Sequence, residues 1–236
     1  MYGTENLMQK VILSIAVAAV VAAIGLVGSP AEAQVMPPVL LKLEQAGKNL
    51  KSLQAGISQQ KQDRVLGVKE NSTGSLLYKA GAAGTERVLL TYTSPIPETV
   101  SVVGEKVTIY QPKLNQLFVT SRKAGVNKNR SLGFLGLAYS DAAQQLRDKY
   151  TITLLGEDMV NGQMATQIQL DPKDTSDGVQ GLILWVDHKT WLPVKYFVTE
   201  KSSKTTITLT ALQPNVTLGD DKFEIPVPKD VKVVNG

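Results

Sequence analysis

Side chains that could do covalent or acid–base chemistry are scarce in this chain and are not grouped. Its 236 residues hold one histidine, His188, and no cysteine. A zinc site draws on imidazole and thiolate ligands, so no metal site is expected. His188 falls in HKTW between two apolar runs, where it reads as a polar turn residue. Carboxylates gather at Asp171, Asp174, Asp177, Asp220 and Asp221, in stretches where short acidic side chains satisfy turn backbone. There is no Gly-x-Ser-x-Gly elbow, no phosphate-cradling Gly-x4-Gly-Lys-Ser/Thr loop and no Gly-x-Gly-x-x-Gly turn. Catalysis and cofactors are therefore not expected. What the chain offers instead is apolar surface. In RVLLTYT, Val88, Leu90 and Tyr92 fall on one face of a strand, with Arg87, Leu89, Thr91 and Thr93 on the other. A packed core and an apolar ligand both fit such a face.

The elements that must position this face read as strands. From Thr73 to Val119 short apolar runs (SLLYK, RVLLTYT, ETVSVV, VTIYQ, QLFVT) alternate with Gly, Pro, Asn and charged breaks. Ahead of this meander, Val39, Leu40, Leu43, Ala46 and Leu50 recur at helical spacing after Pro37 and Pro38. From Ser52 the pattern alternates, with Leu53, Ala55 and Ile57 apolar and QQKQD running out to an exposed tip. Arg64–Glu70 reads as a second, weaker strand and NSTG as the turn after it. Downstream, SRKAGVNKNR is a polar loop, SLGFLGLAYS crowds bulky apolar residues between glycines, and Asp141 could cap a helix through Leu146. Hairpins follow around Asn161-Gly162 and HKTW, then TTITLTAL, then a terminal extended segment with Pro226 and Pro228 suited to an edge. The expectation is ten or eleven strands in one antiparallel sheet, curled, with helices across its mouth.

The N-terminus reads as an address rather than as fold. Lys10 precedes an apolar run at 11–27, and Ala31 and Ala33 supply a small-x-small cleavage pattern. Residues 1–33 are expected to be a signal peptide cleaved after Ala33, leaving 34–236 as a single exported domain. A retained anchor is the alternative, since the run is long enough to cross a bilayer. Cleavage removes Glu5, Lys10 and Glu32 and moves the net charge from +4 to +5. No basic stripe interleaved with aromatics accompanies it, so nucleic acid is not an expected partner.

The order of these elements resembles the LolA family of periplasmic outer-membrane lipoprotein carriers. The residues that carry the likeness are the opening LLKLEQAGKNLKSLQAGISQ, the Gly74-x-Leu76-x-x-Lys79 spacing, VTIYQP-x-L-x-Q at Val107–Gln116, Asp187 with Leu192-Pro193, and the closing FEIPVPKDVKVV. The resemblance implies a mainly β fold, an incomplete antiparallel barrel whose helical lid encloses an apolar cavity. It implies a monomeric carrier with triacylated lipoproteins as cargo, an inner-membrane ABC transporter as donor and an outer-membrane acceptor. A lipid-binding or lipid-sensing module of the same architecture is the alternative. On this reading Val88, Leu90, Tyr92, Val107, Ile109, Trp185 and Leu209 face the cavity. Leu40, Leu43, Leu132, Phe134, Leu135 and Leu137 belong to the lid, with Gly133 and Gly136 for its flexibility. The family's lid-holding arginine has no counterpart in Lys79-Ala80-Gly81, Arg87 opening the next strand instead; Lys79 is the candidate substitute latch.

Overall fold

A computed structural model of the chain describes residues 37–82, 85–122, 142–176 and 178–235. The expected cleavage site, the Asp141 cap and the lid candidates Leu132, Phe134, Leu135 and Leu137 lie outside the described residues. Helix α1 (Pro38–Asn49) opens the compact unit that begins at Pro37. Pro38 sits in its first turn, where a missing backbone N–H costs nothing. Val39, Leu40 and Leu43 form its buried stripe.

Eleven strands then build one antiparallel ladder. They are β1 (Ser52–Asp63), β2 (Lys69–Lys79), β3 (Arg87–Ser94), β4 (Glu98–Val103), β5 (Lys106–Gln111) and β6 (Gln116–Ser121), then β7 (Tyr150–Val160), β8 (Gln163–Pro172), β9 (Val179–Asp187), β10 (Pro193–Glu200) and β11 (Ser203–Pro214). Helix α2 (Ala142–Lys149) precedes β7 and packs against both α1 and β7. A twelfth strand, β12 (Lys232–Asn235), lies parallel to β6. The spatial order is β12-β6-β5-β4-β3-β2-β1-β11-β10-β9-β8-β7. Strand β1 joins two meanders in the middle, and β12 and β7 are the open edges.

Among the described residues the count is twelve rather than ten or eleven, and the sheet is open. The region after β1 is also corrected. Arg64–Val68 is a turn, and NSTG is strand, because β2 pairs with β1 without a break from Lys69↔Gln62 to Lys79↔Ser52. Thr and Ser alternate well enough with Asn and Gly to hold a ladder that β1 templates. The Asn161-Gly162 pivot is as read, both residues having positive φ (51° and 77°).

After β11 the chain crosses back over the sheet as a strap. Its 3-10 turn (Asp220–Phe223) packs on β3 and β4. Phe223 is only 1% exposed, and its carbonyl accepts a 2.6 Å bond from the buried Ser101 hydroxyl. The Lys79 ammonium donates to the Leu218 carbonyl at 2.9 Å and to the Asp220 carboxylate at 2.7 Å. Arg87 reaches the same carboxylate at 3.2 Å. The Lys79 bond holds the Asp220 carboxyl below its ordinary value, with Arg87 adding to it. A carboxylate whose folded pKa is depressed contributes above its unfolded value and loses that contribution as pH falls through the folded one. Protection of the amides in 220–235, relative to their intrinsic exchange rates at each pH, is therefore expected to fall below about pH 4, and raised salt is expected to blunt the effect, since the pair is exposed. Protection factors that stay constant through this range would refute the clasp.

Candidate functional site

Register lines the apolar side chains into rows that run across strands. One row is Phe118, Ile109, Val100, Leu90, Leu76 and Ala55, from β6 to β1. Beside it run Val107, Val102, Val88, Tyr78 and Leu53. On the other meander Ile207, Tyr196, Leu184, Ile168 and Leu154 continue the face from β11 to β7. Side chains alternate along each strand, so a single face of the sheet carries all of these. The face is apolar at its centre: Leu90, Val100, Val107, Tyr196 and Leu209 are fully buried. Burial pushes the Tyr78 hydroxyl up to about 12, which keeps it neutral.

On the β1–β6 meander this face turns polar towards the end that carries the β1–β2 turn. Gln59 accepts the Tyr92 hydroxyl at 2.8 Å, and Gln111 donates to Glu98 at 2.9 Å. Amphipathic partners thus collar the apolar rows. Among the described residues no three His, Asp or Glu side chains converge as a metal site would require. His188 stacks on Trp191, with ring centroids 5.3 Å apart, and its Nε2 lies 2.8 Å from the Thr166 hydroxyl.

Of the cavity candidates, Val88, Leu90, Tyr92, Val107, Ile109 and Leu209 stand together on the apolar face. Trp185 does not. Its neighbour Leu184 takes the inward position, and Trp185 packs on the opposite face with Val160, Ala165 and Val194. There its indole N–H donates to Asp158 at 3.0 Å and the Lys195 ammonium lies 4.3 Å from the ring centroid. Every second residue of LILWVD faces inward, so counting parity from Leu182 would have excluded it. Lys79 also stands on the outer face, where its described contacts tie down the strap; the latch expectation gives way to a clasp. Leu40 and Leu43 are buried on α1, whose Lys42 places its ammonium 3.9 Å from the Trp191 ring centroid.

Sequence reasoning missed the strap's groove. A depression of about 350 Å³ runs between the strap and the outer face of β3–β6, lined in part by Arg87, Ser101, Lys106, Leu117, Phe223 and Ile225. The only signal available was the lone aromatic in DDKFEIP.

Comparison with known proteins places this arrangement. The family described as "Outer membrane lipoprotein carrier protein LolA" matches residues 48–226. The chain belongs to the LolA family. No curated protein matches it. Among solved structures, an uncharacterized conserved protein from Thermus thermophilus is similar at a TM-score of 0.55 and 13% identity, over 84% of this chain and 97% of that one. MucB is similar at 0.52 and 18% identity, over 80% of this chain; the chain spans 62% of MucB's length. These likenesses bear on the fold alone. The LolA family is one of binding and carrier proteins rather than of enzymes.

Proposed function

We propose that the protein is an exported carrier that takes the acyl chains of lipoproteins from the inner membrane and delivers them to the outer membrane. The continuous apolar face is the observation that carries this reading. Each acyl CH2 moved from bilayer to water costs about 0.8 kcal/mol, so triacylated cargo needs an apolar shield in transit. Val88, Leu90, Tyr92, Val107, Ile109 and Leu209 supply that shield without chemistry. Leu40 and Leu43, with Leu132, Phe134, Leu135 and Leu137, form a lid that moves aside for loading and release. The signal peptide is removed after Ala33 and the mature 34–236 domain works in the periplasm, between a donor transporter and an outer-membrane acceptor.

A fluorescent fatty-acyl probe tests the site. Val88 is only half-buried within its row, so Val88→Glu is tolerable to the fold yet places a charge in the acyl path. Probe affinity is expected to drop about tenfold or more, equivalent to at least ~1.4 kcal/mol, with the melting temperature close to wild type. Unchanged affinity would remove the face from the binding site. Native mass spectrometry of protein recovered from its own periplasm reads the cargo: a triacylated lipoprotein supports the carrier, and another lipid supports the lipid-binding alternative.

A further inference from the structure

The β1–β2 turn carries three aliphatic side chains in water. Val65, Leu66 and Val68 are 82%, 75% and 60% exposed. Scattered exposed aliphatics are ordinary; three within the five residues of one turn are a cluster. The turn is also held rigid. Asp63 Oδ1 accepts the Val65 and Leu66 N–H groups, each at 2.8 Å, and the Asp63 N–H donates to the Val68 carbonyl at 2.9 Å. Gly67 takes the positive φ of 70° that closes it. Arg64 braces its base, with Nη1 3.0 Å from both Gln180 Oε1 and the Glu200 carbonyl. The apolar side chains are thus presented outward by a fixed backbone, which lowers the ordering cost of binding something with them.

The turn also projects. Residues 69–72 of β2 pair only with β1, because the β2–β3 register starts at Thr73↔Ser94. At about 3.3 Å per residue this carries the turn roughly 13 Å past β3. Cations surround its base. Lys69, Gln62 and Lys204 lie in one transverse row and Lys61 sits on the opposite face. With Arg64 and Lys201 these outnumber Asp63, Glu70 and Glu200 five to three. The turns after β3 and β5, at the same end of the sheet, add Ile96 and Leu114 at 57% and 62% exposure.

We propose that this turn is a membrane-docking tip that inserts Val65, Leu66 and Val68 into the surface of an anionic bilayer, with the surrounding lysines on its headgroups. A protein partner fits less well. Five residues offer far less than the roughly 800 Å² per side of a stable protein interface, and the tip has no Trp, Tyr or Met anchor. Aliphatic side chains ahead of a ring of Lys and Arg suit the gradient from acyl chains to headgroups.

The absence of cysteine makes a site-specific test clean. The processed full-length protein carries Leu66→Cys, labelled with an environment-sensitive fluorophore; Gln163→Cys, in the hairpin at the opposite end of the sheet, is the control. Vesicles of phosphatidylethanolamine and phosphatidylglycerol are expected to blue-shift the label at 66 and expose it to a lipid-borne quencher, leaving the label at 163 unchanged. Phosphatidylcholine vesicles are expected to give a weaker response. In unlabelled protein, Leu66→Asp is expected to weaken vesicle partitioning about tenfold or more without lowering the melting temperature, since the residue is three-quarters exposed. An unshifted label at 66, equal shifts at both sites, or full partitioning by Leu66→Asp would overturn the proposal. The vesicles contain no lipoprotein, so failure here leaves the acyl-probe result standing, and failure of that probe leaves this one.

Discussion

Phe223→Ala is expected to release the C-terminal strap while the ladder beneath it persists. The ring is the strap's buried anchor, and truncating a buried phenylalanine costs roughly 3–5 kcal/mol. The remaining ties are the solvent-screened ion pairs of Asp220, the Lys79 bond to the Leu218 carbonyl and the Ser101 bond to the Phe223 carbonyl, and the four-residue pairing of β12 with β6, too short to hold the segment by itself. Hydrogen exchange reads the outcome residue by residue. Amides of 220–235, including those of β12, should lose most of their protection, whereas those of β1 and β11 at the centre should keep theirs. Uniform loss across the sheet would mean that the strap belongs to the cooperative core. Retained protection would mean that the clasp and the β12–β6 pairing hold the strap without the ring.

Gly74→Ala is expected to be the next most damaging single change, although it adds only a methyl group. A Cβ at Gly74 would overlap the Thr91 carbonyl and crowd the Tyr92 backbone, where β2 and β3 slip register between Thr73 and Gly74. What must yield is backbone, so the cost lies towards the upper end of the roughly 1–3 kcal/mol typical of overpacking. Equilibrium denaturation measures it, and a midpoint within error of wild type would refute the close approach. The same substitution at Gly181, where a Cβ meets nothing, is the matched control. The Gly74-x-Leu76-x-x-Lys79 spacing thus has three separate physical reasons. Gly74 permits two backbones to touch, Leu76 fills an apolar row, and Lys79 clasps the strap on the opposite face.

Those residues also show how far the sequence could be read. Alternation in RVLLTYT, ETVSVV and VTIYQ was enough to assign strands and their apolar face, because a strand's side-chain period is two and the polar breaks are short. The same rule failed at NSTG, whose residues are individually turn-formers but are carried as strand by pairing with β1, a partner that lies upstream across the whole 64–68 turn. Lys79 and Trp185 were misplaced for a common reason. Each was assigned by its type, one as a cation near a missing arginine and the other as a large apolar side chain, where parity along the strand decides which way a residue points. The strap across the outer face was illegible as packing. Pro226 and Pro228 announce an extended, edge-suited segment, but nothing local says that Phe223 will be covered or by what.

The placement of β1 also bears on how the molecule assembles. Strands β2–β6 and β7–β11 are two meanders of sequence-adjacent hairpins, each able to zip with short loop closures. The bond between them is β1 against β11, whose register from Leu53↔Pro214 to Asp63↔Ser203 spans most of the chain. Long-range pairing is closed late, because its loop entropy must be met before its contacts form. The seam between the two meanders is then the slow step of folding. Until it closes, the backbone edges of β1 and β11 stand unpaired, and a chain of this design depends on keeping that interval short.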